Sequence, residues 1–130
     1  MGAHWAQTAA EGLPDSAVVA AGISPSGVVH VGNLRDLLTA EAVHEAAKAQ
    51  GKSSELLFFW DDFDRLRRVP SGIPDSFVEH VGRPYCDVPD PWGEFGSFAE
   101  RFIQRFESEV AALGVETSFI RQSGRFWEGA

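Results

Sequence analysis

Two stretches of the 130-residue sequence carry side chains whose types and spacing could do chemistry. The first is Ser24-Pro25-Ser26-Gly27-Val28-Val29-His30-Val31-Gly32-Asn33. Backbone amides freed at a helix N-terminus, together with the helix dipole, favour a phosphate. His30 and Asn33 could add donors to a phosphoryl oxygen, and Gly32 would let a ligand approach closely. The spacing matches neither the Walker loop nor the dinucleotide fingerprint. On residue types alone, an equal reading is a capped helix carrying a half-buried histidine.

The second stretch is Trp60-Asp61-Asp62-Phe63-Asp64-Arg65-Leu66-Arg67-Arg68. Three carboxylates just past a strand end could hold an ammonium group or a Mg²⁺ ion. The competing reading is a loop in which Arg65, Arg67 and Arg68 neutralise the acids.

Elements to position these stretches can be read from the sequence pattern. His4–Glu11 is Ala-rich and predicts a short helix, with His4 and Trp5 packing it against the body. Ser16–Ala21 reads as a buried strand. Gly22–Gly27 follows as a loop, because Pro25 and two glycines oppose regular structure. A helix is predicted over 33–50, with Leu34, Leu37, Leu38, Ala42, Val43 and Ala46 on its buried face and Gly51 ending it. Glu55–Trp60 is a second strand. Its run of five apolar residues lacks alternation, which predicts that both faces are covered. Residues 65–96 hold five of the seven prolines and read as a long functional loop. Phe98, Phe102, Phe106, Val110 and Leu113 form one stripe of a helix over 97–113, and Val115–Ile120 is a third strand. The order βαβαβ is an α/β fold with a parallel sheet, half of a Rossmann-like nucleotide-binding domain. Right-handed crossovers put both helices on one face. Ligands in such sheets sit beyond the carboxyl ends of the strands, where Gly22–Asn33, Asp61–Asp64 and the segment from Arg121 converge.

Composition narrows the function classes. The net charge is −8, from 11 Lys and Arg against 19 Asp and Glu. That balance makes the chain a poor stand-alone nucleic-acid binder, because phosphate contacts need clustered cations. Cys86 is the single cysteine, so an internal disulfide and a multi-cysteine zinc site are excluded. It reads as an incidental thiol in a reducing, cytoplasmic setting. No apolar run approaches the roughly 20 residues a membrane span needs. Trp92 and Trp127 read as packing under a loop or as stacking platforms for a base. His44 and His80 read as surface residues.

Taken together, the motifs resemble the catalytic domain of class I lysyl-tRNA synthetase. They are Ala21-Gly22-Ile23-Ser24-Pro25-Ser26-Gly27, His30-Val31-Gly32-Asn33 and Phe59-Trp60-Asp61-Asp62-Phe63-Asp64-Arg65-Leu66-Arg67. Val88-Pro89-Asp90-Pro91-Trp92-Gly93 and Phe119-Ile120-Arg121-Gln122 add to the set. The resemblance covers about His4 to Gln122 and implies a HUP-type nucleotide-binding fold that makes lysyl-adenylate from lysine and ATP with Mg²⁺. It implies catalytic roles for His30 and Asn33. It implies ATP contacts from Ser26, Gly27, His30, Gly32 and Asn33, and amino-acid contacts from Gly22, Ser24, Asp62 and Asp64. It implies no protein-held metal.

Members of that family are several times longer. Residues 1–130 read as one truncated catalytic domain without an anticodon-binding domain. No KMSKS-like loop is present, and Lys48 and Lys52 are the only lysines. Alternatives are a non-charging paralogue that binds nucleotide or amino acid beside a partner chain, or an inactive remnant. Ser16–Ala21 is expected to be an open edge strand, which predicts a homodimer or a partner chain.

Overall fold

A computed structural model describes residues 4–124. Six regular elements follow in order: α1 (Trp5–Glu11), β1 (Ser16–Ile23), α2 (Val31–Ala49), β2 (Ser53–Trp60), α3 (Phe98–Ala112) and β3 (Ser118–Arg121). Two short 3-10 turns, Asp75–His80 and Tyr85–Asp87, interrupt the long loop between β2 and α3. The three strands are parallel in the order β1-β2-β3, so β1 is an edge. The α/β half-Rossmann architecture read from the sequence is therefore present.

The core lies between the sheet and α2 with α3. Leu56, Phe58 and Trp60 of β2 are at most 3% exposed and alternate with Leu57 and Phe59, which turn to the opposite face. Phe106 of α3 meets both the Phe58 and the Trp60 rings at 5.3 Å. Burying side chains of this size stabilises by about 1.5–3 kcal/mol each. The Trp60 indole N–H donates to Glu107 at 3.0 Å, so its polar end is also satisfied. The expectation that both faces of β2 are covered is not met. Val18 and Phe59, on the outer face, remain 59% and 41% exposed.

Element ends differ from the sequence reading for identifiable reasons. β1 runs on to Ile23, because the register continues from Ala21 opposite Phe58 to Ile23 opposite Trp60. Gly22 therefore lies in the strand. A Cβ there would come within 2.7 Å of the Phe59 carbonyl oxygen. α2 begins at Val31 rather than Asn33 because His30 caps it. Its sheet-facing stripe is Leu37, Ala40, His44 and Ala47. His44, expected at the surface, is buried with Nδ1 2.7 Å from the Ser54 hydroxyl. β3 begins at Ser118. α1 packs on α2 through Ala6 and Ala10, while Trp5 stays half exposed and His4 caps the helix.

Among the described residues, no helix is long and apolar enough to cross a membrane.

Candidate substrate-binding site

Beyond the carboxyl ends of β1 and β2 the chain makes two sharp departures. After β1 it turns through Ser24–Val29 into α2. After β2 it turns through Asp61–Asp64, where the Asp64 amide donates to the Asp61 carboxylate at 3.1 Å. A narrow antiparallel ladder then forms. Leu66 donates to the Arg83 carbonyl and Gly82 to the Leu66 carbonyl, both at 2.8 Å, and Tyr85 donates to the Asp64 carbonyl at 2.9 Å. Leu66, 1% exposed, pins this ladder to the core.

The turns enclose a cavity of about 770 Å³ whose walls include Ser24, Ser26, Asp64, Arg67, Arg68 and Tyr85. That is ample for a small molecule. The Ser24 hydroxyl donates to Asp64 Oδ2 at 3.1 Å, tying the two strand ends together. Asp64 Oδ1 accepts from the Arg65 amide at 2.9 Å and from Arg67 at 3.2 Å. Burial alone would raise the Asp64 pKa, but these bonds from Arg65, Ser24 and Arg67 together hold it below the ordinary carboxylate value. Asp61 moves the other way: burial, then the charge of Asp64, push it up. Tyr85 is pushed up by burial and by Asp64.

Asp62 occupies a different environment. It is 3% exposed, and both its carboxylate oxygens accept from Ser123, one from the amide at 2.9 Å and one from the hydroxyl. The carboxylate thus fastens the segment after β3 beneath the acidic turn.

His30 and Asn33 stand apart from the cavity walls, at the N-terminus of α2. His30 Nδ1 accepts from the Gly32 amide at 3.1 Å, and Asn33 Oδ1 accepts from the His30 amide at 3.5 Å. This reciprocal pattern is a capping box written with His and Asn. It fixes which groups remain. An Nδ1 that accepts leaves the proton of the neutral ring on Nε2. The Asn33 amide keeps its NH₂. His30, exposed, thus keeps an Nε2–H donor, and half-buried Asn33 keeps its NH₂ donors. Gly32 is needed by the cap itself, since a Cβ there would meet the His30 ring at 2.9 Å. Gly27 has φ of 157° and nothing near its missing Cβ.

The sequence thus brought Ser24, Ser26 and Asp64 to one cavity, and His30, Gly32 and Asn33 to a neighbouring helix end. Gly22 lies in the strand behind them. It did not disclose Tyr85 as a wall, Arg67 and Arg68 as lining groups rather than mere counter-ions, or Ser123 as the partner of Asp62. Tyr85 is the only tyrosine, which is a weak signal; Ser123 carried none. Cys86 is pushed up by burial and by Asp87 and Asp62, consistent with an inert thiol. Trp92 lies over Arg101, whose guanidinium is 4.5 Å from its ring centre, and is 54% exposed rather than packed under a loop. His80 is half-buried beside Phe77. Trp127 lies outside the described residues. Among the described residues, no group of three His, Cys, Asp or Glu side chains could hold a metal ion.

Comparison with known proteins bears on this geometry. Residues 3–130 match the family described as tRNA synthetases class I (K). The chain belongs to that family. It is 43% identical to the lysine–tRNA ligase of Pyrococcus furiosus over 97% of its own length and 25% of that protein. The lysine–tRNA ligases of Thermococcus kodakarensis and Methanosarcina barkeri are 41% and 36% identical, again over 97% of this chain and about a quarter of theirs. The chain therefore spans about a quarter of the length of the class I (K) synthetases it matches.

Proposed function

We propose that this chain is a lysine-activating half-site: it holds lysine and the phosphates of ATP while the lysine carboxylate attacks the α-phosphorus. That step forms the mixed anhydride lysyl-adenylate and releases pyrophosphate. The observation carrying the reading is the Ser24–Asp64 hydrogen bond, which closes β1 on β2 at the wall of a cavity of about 770 Å³.

Each residue has a role that its environment supports. Asp64, kept ionised at neutral pH by its donors, serves as counter-ion to an amino group of lysine. Gly22 and Ser24 present the β1 end to the amino acid. Asp62 is spent on Ser123 and acts as a positioning residue for the acidic turn. His30 and Asn33 present donors to phosphate oxygens, where charge grows in the transition state. Ser26, Gly27 and Gly32 leave room beside them, the amides of Ser26 and Gly32 being spent on the Ser24 carbonyl and the His30 ring. Mg²⁺ would travel with ATP rather than on a protein-held carboxylate cluster, and would neutralise charge on its phosphates.

Charging of tRNA by this chain would need surfaces beyond the quarter of the relatives that it matches. The acidic balance and the edge of β1, unpaired among the described residues, also support a second reading: a cytoplasmic nucleotide- or lysine-binding paralogue that works beside a partner chain.

Lysine-dependent exchange of labelled pyrophosphate into ATP tests the proposal, with calorimetry of lysine and ATP binding alongside. Exchange that requires both Asp64 and His30 supports activation. Binding without exchange supports the second reading. Neither signal means an inactive remnant.

A further inference from the structure

Tyr85 brings to the wall of the strand-end cavity a hydroxyl that the fold does not use. The residue is 6% exposed, and its ring stacks on Phe98 with centroids 5.6 Å apart and planes inclined by 21°. Its amide donates to the Asp64 carbonyl at 2.9 Å, so ring and backbone are both held. Among the described residues, nothing hydrogen-bonds to its hydroxyl. A hydroxyl on so buried a residue ordinarily has a partner. Burial, then the charge of Asp64, push its pKa up, while the charge of Arg67 acts the other way and more weakly. At the hydroxyl the carboxylate therefore outweighs the guanidinium, and the local field favours a cation. Asp64 itself has room for one more donor. An ionised carboxylate offers about four acceptor sites. The Ser24 hydroxyl, the Arg65 amide and Arg67 occupy three of them.

We propose, on the basis of the lysine-activating reading above, that Tyr85 selects lysine by its side-chain ammonium, which donates one N–H to the Tyr85 hydroxyl oxygen and another to the free acceptor site of Asp64. The reaction sets the direction of the substrate. Its carboxylate must reach the donors at the start of α2, which are not among the cavity walls, so the far end of the amino acid lies in the cavity. Val69 and Pro70 line the same space and offer apolar surface to the methylene stem. An ammonium carries three N–H donors and no acceptor, so two oxygens suit it better than one. A neutral side chain of equal length displaces water from both oxygens and returns no hydrogen bond, which is how such a site discriminates.

The test is calorimetry of the full chain and of Tyr85→Phe with lysine, ATP and norleucine, which keeps the α-amine and lacks the side-chain ammonium. Tyr85→Phe keeps the ring on Phe98 and removes a hydroxyl with no partner in the fold, so the urea midpoint is expected to stay near wild type. Lysine affinity is expected to fall about 10- to 100-fold, the range for a hydrogen bond to a charged group. Norleucine is expected to bind weakly and equally to both proteins, and ATP affinity to stay the same. In pyrophosphate exchange the KM for lysine should rise and that for ATP should not. Absence of lysine binding to the wild type, unchanged lysine affinity in the variant, or an equal loss for lysine and norleucine overturns the proposal. Exchange also separates the two claims. Wild-type exchange with lysine bound as tightly by Tyr85→Phe removes the role of Tyr85 and leaves the adenylate reading. Lysine binding that needs the hydroxyl, without exchange, removes the adenylate reading and leaves Tyr85 as the selecting residue.

Discussion

His30 shows how one side chain can hold a helix together and still offer chemistry. Its Nδ1 is spent on the Gly32 amide, so the ring is fixed in place and in tautomer. The remaining Nε2–H is then a fixed donor, with no side-chain reorganisation needed when a phosphate arrives. The capping and catalytic roles can be separated by substitution. His30→Ala removes both, and loss of a cap costs about 1 kcal/mol. Asn is a good N-cap residue, so His30→Asn is expected to retain the wild-type urea midpoint while losing most ATP affinity and exchange. Unchanged ATP binding in His30→Asn would reduce His30 to a cap. The sequence showed the pairing of His30 with Asn33 by type and position, but not its geometry. The usual capping signature is Ser or Thr followed three residues later by Glu or Gln, and here neither position has the usual residue.

At the scale of elements, the turn that launches α3 depends on a single buried carboxylate. Asp90 accepts from the amides of Trp92, Glu94 and Phe95 at 2.8–3.2 Å and from Arg101 Nε at 2.5 Å. The Arg101 guanidinium lies between the Trp92 and Phe95 rings, and Ser97 then caps the helix. Burial opposes ionisation of Asp90, yet the bonds from Arg101 and the three amides bring its pKa down from 3.8 to about 2. A lowered carboxylate pKa means that the unfolded chain binds the proton more readily. The stabilisation is complete above about pH 4 and is lost as pH falls through about 2. At 1.36 kcal/mol per unit it amounts to about 2 kcal/mol. Asp90→Asn is therefore expected to lower unfolding free energy by about that much near neutrality and by far less near pH 2, read from urea titrations at both. A deficit independent of pH would show that the hydrogen-bond geometry matters and the charge does not. The helix itself was legible, because Phe98, Phe102, Phe106 and Val110 repeat at helical spacing. The loop before it was legible only as irregular. Asp90 reaches forward to Arg101, and the 64–66 segment pairs with 82–85, through contacts that leave no period in a sequence.

At the scale of the whole molecule, the half-sheet is unfinished on two sides. A parallel sheet is ordinarily covered on both faces. Here α2 and α3 cover one face, while Val18 and Phe59 are exposed on the other and Leu57 and Ile120 are half-buried there. Among the described residues the outer edge of β1 is also unpaired, and Ser16–Ile23 contains no charged residue and no proline to block pairing. A second copy could approach this edge without like-charge repulsion, although the molecules carry −8 each. Association that grows with concentration is therefore expected in light scattering coupled to size exclusion. Val18→Lys places a charge on the outer face at the edge strand, where pairing of two copies along β1 would bring like charges onto neighbouring strands. It is expected to shift the population to monomer while leaving the circular dichroism spectrum and the urea midpoint near wild type. Should the unmodified chain stay monomeric at high concentration, and Val18→Lys change nothing, the edge is self-sufficient and no copy is needed to cover it. Association that survives Val18→Lys would instead move the contact off β1 to another surface.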